Sequence, residues 1–304
     1  MKRTRITDTI EYIEPTDIPS NISCSAVVVS SSPKIVIDLN LSDSDTESVL
    51  KEIRPDQSYI SHYHIDHSRG WQAIEKFSNA DYFIPRGEEQ FLSDRNAFLK
   101  HTPGNRGNVE TWKIFLEQSG YREIEKYRVF DGSHRIKTGS STIECIATAG
   151  HSPSHTSFYF PTERILFAGD LGLSEFGPWY GWESCDIESY VESLLRLKSL
   201  ETDILLTSHE GIIRSEIDAV WDNCLSQFFL REQSIREQLD AGKTKQEIVA
   251  LGIYFTNKDR VKEPMKSVIT IWDAIMLDHH LKILESDSLA ARFPELSALP
   301  FTPN

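Results

Sequence analysis

The segment SHYHIDHSRG, residues 61–70, sets three histidines and an aspartate within six positions: His62, His64, Asp66 and His67. Neutral imidazole and carboxylate together are ligands suited to Zn²⁺, and also to Fe and Mn. His62 and His64 alternate, so in an extended segment both side chains leave the same face. Asp66 and His67 follow where the chain must turn. One short loop can therefore present two pairs of ligand groups to a single space. The competing reading is a fortuitous set of surface or capping residues, and three further positions weigh against it. His151 in ATAGHSPSHT, Asp170 in ILFAGDLG and His209 in LLTSHEG each follow a β-rich run. An unpaired carboxylate at the end of an apolar strand would be costly. Three ionisable groups at strand tips suit a site along one edge of a pair of sheets.

The elements that must carry these residues follow from pattern. Residues 24–39, CSAVVVSSSPKIVIDL, read as a β-hairpin whose second strand ends on Asp38. DSDTESVLKEIR reads as a capped helix, SYISHYH as a strand entering the histidine cluster, WQAIEKF as a short helix and DYFIP as the next strand. That order predicts α/β layering. Residues 88–128 change character: EEQFLSDRNAFLKH and NVETWKIFLEQSGY are helix-like and separated by TPGNRGN, as in an inserted lid. Short strands return from 129, and DIESYVESLLRLKSL is an amphipathic helix. After 217 only helical patterns remain. The expected organisation is a catalytic domain at 1–217, with a helical insertion at about 88–128, followed by a helical C-terminal module at 218–304.

HYHIDH, AGHSPSH, FAGD and TSHEG, in this order, resemble the metal-binding signature of the metallo-β-lactamase superfamily over about residues 20–215. The resemblance implies an αββα sandwich with a two-metal site at its edge. By position, His62, His64 and His151 would hold one divalent ion. Asp66, His67 and His209 would hold the other, and Asp170 would bridge them. Asp38 matches the family's supporting aspartate. The stretch SPSH departs from the family's frequent SPGH, with Ser154 in place of glycine, and His155 is expected to support the ligands rather than join them. The implied chemistry is hydrolysis by a hydroxide bridging two ions, Zn first and Fe or Mn as alternatives, with Asp66 and Asp170 as the catalytic carboxylates.

The signature specifies metals better than substrate. Hydrolases of esters, thioesters and lactones, such as the hydroxyacylglutathione hydrolases, share this ligand set, and so do endoribonucleases with a helical C-terminus. The chain has 304 residues and a formal net charge of −14, which disfavours phosphate backbones and favours a small acyl substrate. A metal-dependent endoribonuclease or phosphodiesterase is the alternative. A metal-retaining binding protein with little turnover is a third. No apolar signal core or membrane-length segment is visible, and Cys24, Cys145, Cys185 and Cys224 are widely spaced, so the expectation is a cytoplasmic protein with reduced thiols. The same lack of an export signal argues against a β-lactam substrate.

Lesser candidates follow. The loop SEFGPWYGWESCD lies directly after Asp170, so Trp179, Tyr180 and Trp182 are expected near the metals, as an apolar wall or as a hydroxyl assisting an oxyanion. His101 and His134 are expected to be solvated loop residues, and His279 and His280 helix-packing residues. Lys258, Arg260, Lys262 and Lys266 form the one noticeable basic cluster, expected to be a solvated face.

Overall fold

The computed structural model describes residues 1–299 apart from 17, 20, 21, 104, 105, 108, 140, 175, 295, 297 and 298. Seven strands form one sheet in sequence order: β1 (Lys2–Arg5), β2 (Ile10–Glu14), β3 (Ala26–Val29), β4 (Ile35–Ile37), β5 (Gln57–Tyr59), β6 (Asp81–Pro85) and β7 (Arg128–Phe130). β1 to β4 pair antiparallel, and β4 to β7 pair parallel. The second sheet contains β8 (Arg135–Lys137), β9 (Thr142–Ala147), β10 (Thr156–Phe160), β11 (Ile165–Phe167), β12 (Ile204–Leu206) and β13 (Ile212–Ile213), ordered β13-β12-β11-β10-β9-β8. There β11 and β12 pair parallel, and the other described pairs are antiparallel.

Alternation along the strands decides the layers. Val27, Val29, Ile35 and Ile37 from the first sheet meet Phe158, Phe160, Phe167 and Leu206 from the second, forming the inter-sheet core. The intervening residues Val28 and Val36 face outward, where they pack with Val49 and Leu50 of α1 (Asp43–Ile53). Ser42 caps α1 by accepting a hydrogen bond from Asp45 N. Short helices α2 (Ile65–Ser68) and α3 (Trp71–Phe77) follow the histidine segment. Behind the second sheet lies α7 (Ile187–Lys198), which packs with the long helices α8 (Ile217–Asp240) and α10 (Met265–Leu284). The result is an αββα sandwich with a helical C-terminal region.

The described residues of the insertion form three helices, α4 (Glu89–Ser93), α5 (Arg95–His101) and α6 (Val109–Gln118). The single helix expected over EEQFLSDRNAFLKH is broken at Asp94. Its extended backbone lets the carboxylate accept from Asn96 N and Ala97 N, so it starts α5 instead of continuing α4. Of the linker TPGNRGN, positions 104, 105 and 108 lie outside the described residues. The helix expected over KTKQEIVALGIYF is α9 (Lys245–Leu251). It opens with a Thr244–Glu247 capping box and stops at Gly252, whose φ is 90°. α11 (Leu289–Arg292) follows α10.

Three strands escaped the sequence reading: the edge strands β1 and β13, and β2 beside β1. β2 matters to the site. Tyr12 Oη donates to Thr207 O at 2.8 Å, and Ser25 N donates to Ser208 O at 2.8 Å, so the first sheet holds the strand tip that carries His209. The expected solvated basic face is corrected at one position: Arg260 and Lys262 are exposed as expected, and Lys258 is not. Lys258 is buried, and its ammonium pairs with Asp273 and the Val249 carbonyl. A buried ammonium demands such partners, so Lys258 is part of the packing between α9 and α10.

Candidate metal centre

β5 ends at Tyr59, and the chain then runs along one edge of the sandwich through His62, His64, Asp66 and His67. Asp38, at the end of β4, fixes this loop. Its backbone has φ 51°, a left-handed conformation that a non-glycine residue adopts at a cost. In that pose Oδ1 accepts Ser61 N at 2.6 Å, while Oδ2 accepts Ser61 Oγ at 2.7 Å and His67 Nδ1–H at 2.9 Å. His67 Nε2 is thereby turned the other way, and it is buried with no hydrogen-bond partner among the described residues. The Asn40 amide nitrogen donates to the carbonyls of Ile22 and Asp66, fixing the turn from behind.

The loop after β9 carries His151. Its Nδ1 donates to Trp179 O at 3.0 Å, which leaves Nε2 as the unprotonated nitrogen. That Nε2 lies 3.2 Å from His62 Nε2, 3.0 Å from His64 Nδ1 and 3.3 Å from Asp170 Oδ2. Lone pairs from neutral imidazoles converging this closely repel one another unless a cation lies between them. Nitrogens held about 2.0–2.1 Å from one tetrahedral ion would be about 3.3 Å apart, so the spacing fits such an ion. Burial, and then the neighbouring histidines, hold His62 and His64 well below the ordinary histidine range, so both remain neutral.

Asp170 follows β11, and His209 follows β12. His209 Nε2 is 3.2 Å from Asp66 Oδ2 and 3.7 Å from Asp170 Oδ2, and His67 Nε2 is 3.5 Å from Asp66 Oδ2. The seven residues thus form two groups, His62, His64, His151 and Asp170, then Asp66, His67, His209 and Asp170, each with ligand atoms within 4.8 Å of one another. The Asp170 carboxylate belongs to both, and its Oδ2 faces a histidine of each. Burial opposes a charge on His209, but the Asp170 carboxylate and the hydrogen bond to Asp66 raise it to about 10. The carboxylates there call for positive charge, whatever supplies it.

His155 stands behind Asp170 and outside both groups. Asp170 N donates to its Nε2 at 3.2 Å, so its proton is on Nδ1, directed at Thr148 Oγ1 at 2.7 Å. Gly169, with φ 77°, gives the room: a Cβ there would sit 2.6 Å from His155 Nε2.

A residue that sequence reasoning missed lies beneath both ligand loops. Glu88 is fully buried, accepts Tyr63 N at 2.6 Å and Ser154 N at 2.8 Å, and bonds the Ser152 hydroxyl. It connects the 61–68 loop to the 151–154 loop. Nothing in RGEEQ distinguishes it from its exposed-looking neighbour, so only the fold could reveal it.

The loop after Asp170 divides its aromatics. Trp179 and Trp182 face the histidines, with ring centroids 5.8 and 6.4 Å from His64. Tyr180 does not, which corrects the expectation that it faces the metals. It is fully buried on the far side, its hydroxyl 2.8 Å from His280 Nε2 and its ring under the Arg231 guanidinium. Held there by His280 and Arg231, Tyr180 anchors the loop that presents its tryptophan neighbours. Arg231 also donates to the Phe176 and Pro178 carbonyls, and His279 donates to Trp182 O at 2.9 Å.

Trp179 and Trp182 open onto an apolar cleft of about 380 Å³ that reaches His64, Asp66 and Asp170. An ordered edge of a sandwich with two sets of ligand atoms, one carboxylate between them and a cleft beside them, is the architecture of the metallo-β-lactamase superfamily. The superfamily model matches residues 21–209, and the chain belongs to that superfamily. A metallo-beta-lactamase family protein from Thermus thermophilus superposes with a TM-score of 0.69 at 17% identity, over 92% of this chain and 94% of that one. The chain is 28% identical to an N-acyl homoserine lactonase of Bacillus cereus, covering 54% of this chain and 61% of that protein. It is 24% identical to an atrochrysone carboxyl ACP thioesterase of Aspergillus fumigatus, covering 53% and 47%. A Caenorhabditis elegans beta-lactamase-like protein 2 homolog is 27% identical, over 43% and 41%. The chain spans about half the length of the curated relatives it matches. Among the described residues no helix is long and apolar enough to cross a membrane.

Proposed function

We propose that the protein is a dinuclear metal-dependent hydrolase of a small ester, thioester or lactone. The observation that carries the reading is the single carboxylate, Asp170, shared by two sets of ligand atoms at the mouth of an apolar cleft. His62, His64 and His151 would hold one divalent ion, Asp66, His67 and His209 the other, with Asp170 between them and Zn, Fe or Mn as the ions. Two such ions supply a nucleophile at neutral pH and polarise the oxygen under attack.

The chain's own residues do the rest. Asp38 and Trp179 O fix the protonated nitrogens of His67 and His151, so that both present lone pairs inward. Asp66, beside His209 Nε2, is positioned to accept and return a proton. Trp179 and Trp182 exclude water from one side of the scissile carbonyl. The lactonase and thioesterase relatives support acyl substrates, and four free, buried cysteines support a reducing, cytoplasmic setting.

The test is a panel of thioesters, esters, lactones, phosphodiesters and structured RNA offered to protein reloaded with Zn, Fe or Mn. Acyl substrates are expected to be cleaved, with chelation abolishing turnover. Efficient RNA cleavage with every acyl substrate untouched would overturn the reading in favour of a nuclease. Metal content near two per chain is expected, and less than one after reloading would overturn the dinuclear assignment.

A further inference from the structure

The cleft beside the ligand groups has walls from three separate parts of the chain. Phe98 and Phe115 come from the insertion helices α5 and α6, and Trp179 and Trp182 from the loop after Asp170. Phe255, Met265, Ile269 and Trp272 come from the C-terminal region, beyond the stretch matched by the superfamily model. About half of this apolar wall therefore has no counterpart in what defines the superfamily, and its chemistry must be read from this chain.

That chemistry is uniform. Trp179, Trp182 and Trp272 pack edge to face in a closed triangle, with centroids 5.5, 5.4 and 5.5 Å apart and planes 84° to 89° from one another. Such mutual contacts fix each ring and leave a rigid apolar surface. The Trp182 carbonyl is tied to His279, and Tyr180 between the two tryptophans is tied to His280, so helix α10 locks the surface in place. Charged groups on the lining are Asp66 and Asp170 at the inner end, with no lysine or arginine among the described residues that line it. An anionic substituent would find no counter-ion on these walls and would meet desolvation without compensation. A cationic one would find no carboxylate along these walls short of the inner end, where the proposed ions would repel it.

We infer that this cleft selects an uncharged, apolar acyl group, a medium-length alkyl chain or a single aryl ring, as the carbonyl substituent of the substrate. The inference rests on the hydrolase reading above and specifies its substrate class. At about 30 Å³ per water-sized group, the cleft of about 380 Å³ holds roughly a dozen non-hydrogen atoms.

The experiment uses N-acetylcysteamine thioesters on metal-loaded, full-length protein, so that the leaving group stays neutral and constant. The acyl series runs from acetyl through octanoyl to tetradecanoyl, with phenylacetyl, and with succinyl and betainyl as charged members. kcat/KM is expected to rise about fourfold per methylene, the rate equivalent of one buried CH₂, and to level off at about ten to twelve carbons. Phenylacetyl should lie within about tenfold of octanoyl, and both charged acyl groups at least about 100-fold below butyryl. A flat profile, or a preference for succinyl or betainyl, would overturn the inference while leaving the hydrolase reading intact.

Binding supplies a readout independent of turnover. Acetamide, octanamide, phenylacetamide and succinamate are titrated against tryptophan emission, which three lining indoles should make responsive. Tighter binding of octanamide and phenylacetamide with no thioester, ester or lactone cleaved would uphold the cleft and overturn the hydrolase reading. Equal binding of all four would overturn the cleft. Met265→Lys places an ammonium in the wall and should shift the octanoyl-to-succinyl preference at least about tenfold towards succinyl, with the melting temperature recorded alongside. If that variant does not fold, Phe255→Ala enlarges the cleft and should move the plateau to longer chains. An unmoved plateau in a folded variant would overturn the inference.

Discussion

The carboxyl of Glu88 accepts the backbone N–H of Tyr63 at 2.6 Å, between His62 and His64, while its other oxygen receives Ser154 N and the Ser152 hydroxyl beside His151. One side chain thus sets the spacing of two loops that bring ligand groups to the same point. Burial pushes this carboxyl up to about 7, against the pull of its three donors.

Glu88→Gln keeps the shape but turns an amide nitrogen towards one of those donors. Metal affinity at the His62, His64 and His151 group should fall about 10- to 100-fold, the usual cost of losing a residue that orients ligands. Stability should change with pH in a defined sense. A carboxyl whose folded pKa is raised makes the native state bind more protons than the unfolded chain between about 4.5 and 7. Its contribution to stability therefore falls as pH rises through that window, by about 3 kcal/mol, and is flat on either side. Urea melts of both proteins at stepped pH should show that slope in the wild type and lose it in the variant. Identical slopes would remove Glu88 from the account.

Asp170→Ala removes the carboxylate common to both ligand groups. The fold should survive at this sheet edge. Metal binding at the Asp66, His67 and His209 group should weaken, and turnover should drop by several orders of magnitude. Asp38→Ala is the comparison. It frees His67 Nδ1 and Ser61, and should cost roughly 10- to 100-fold in affinity or rate. Metal analysis, melting and rate are measured together, and two bound metals with near-normal turnover in Asp170→Ala would require a different ligand map.

Tyr180→Phe separates anchoring from chemistry. It leaves His280 Nε2 buried without its partner at 2.8 Å, at a cost of about 1–3 kcal/mol in stability. The ring under Arg231 is retained, so kcat should stay within about threefold of the wild type on an active substrate. A large loss of kcat with unchanged stability would restore a catalytic role to this hydroxyl.

Gly169→Ala tests the close approach behind Asp170. The left-handed backbone alone costs a side chain about 1–2 kcal/mol, and the new Cβ would press on His155. Reduced melting temperature together with weaker metal binding is expected. A lowered melting temperature with full metal affinity would mean that His155 does not help to hold Asp170.

The sequence by itself determined which seven histidines and aspartates converge, and most of the strands beneath them. Histidine, aspartate and glycine at the ends of ILFAG and TIECIATA have few structural roles, and the β-branched runs AVVV and KIVID identify paired strands. Those signals are local, so they survive without coordinates. Polar edge strands such as β1 carry weak hydrophobic periodicity, and the break at Asp94 depends on one backbone angle, so neither was legible. What only the tertiary structure decided comes from contacts between distant segments. Glu88 reads as one of two surface glutamates until Tyr63 and Ser154 close over it. Tyr180 reads like its tryptophan neighbours until His280, a hundred positions away, receives its hydroxyl. Lys258 reads as solvent-facing until Asp273 comes to meet it. The apolar cleft is an extreme case: its walls come from an insertion, a loop and a C-terminal helix. Hydrophobic residues look alike in sequence whether they fill a core or line a space, and only their packing separates the two.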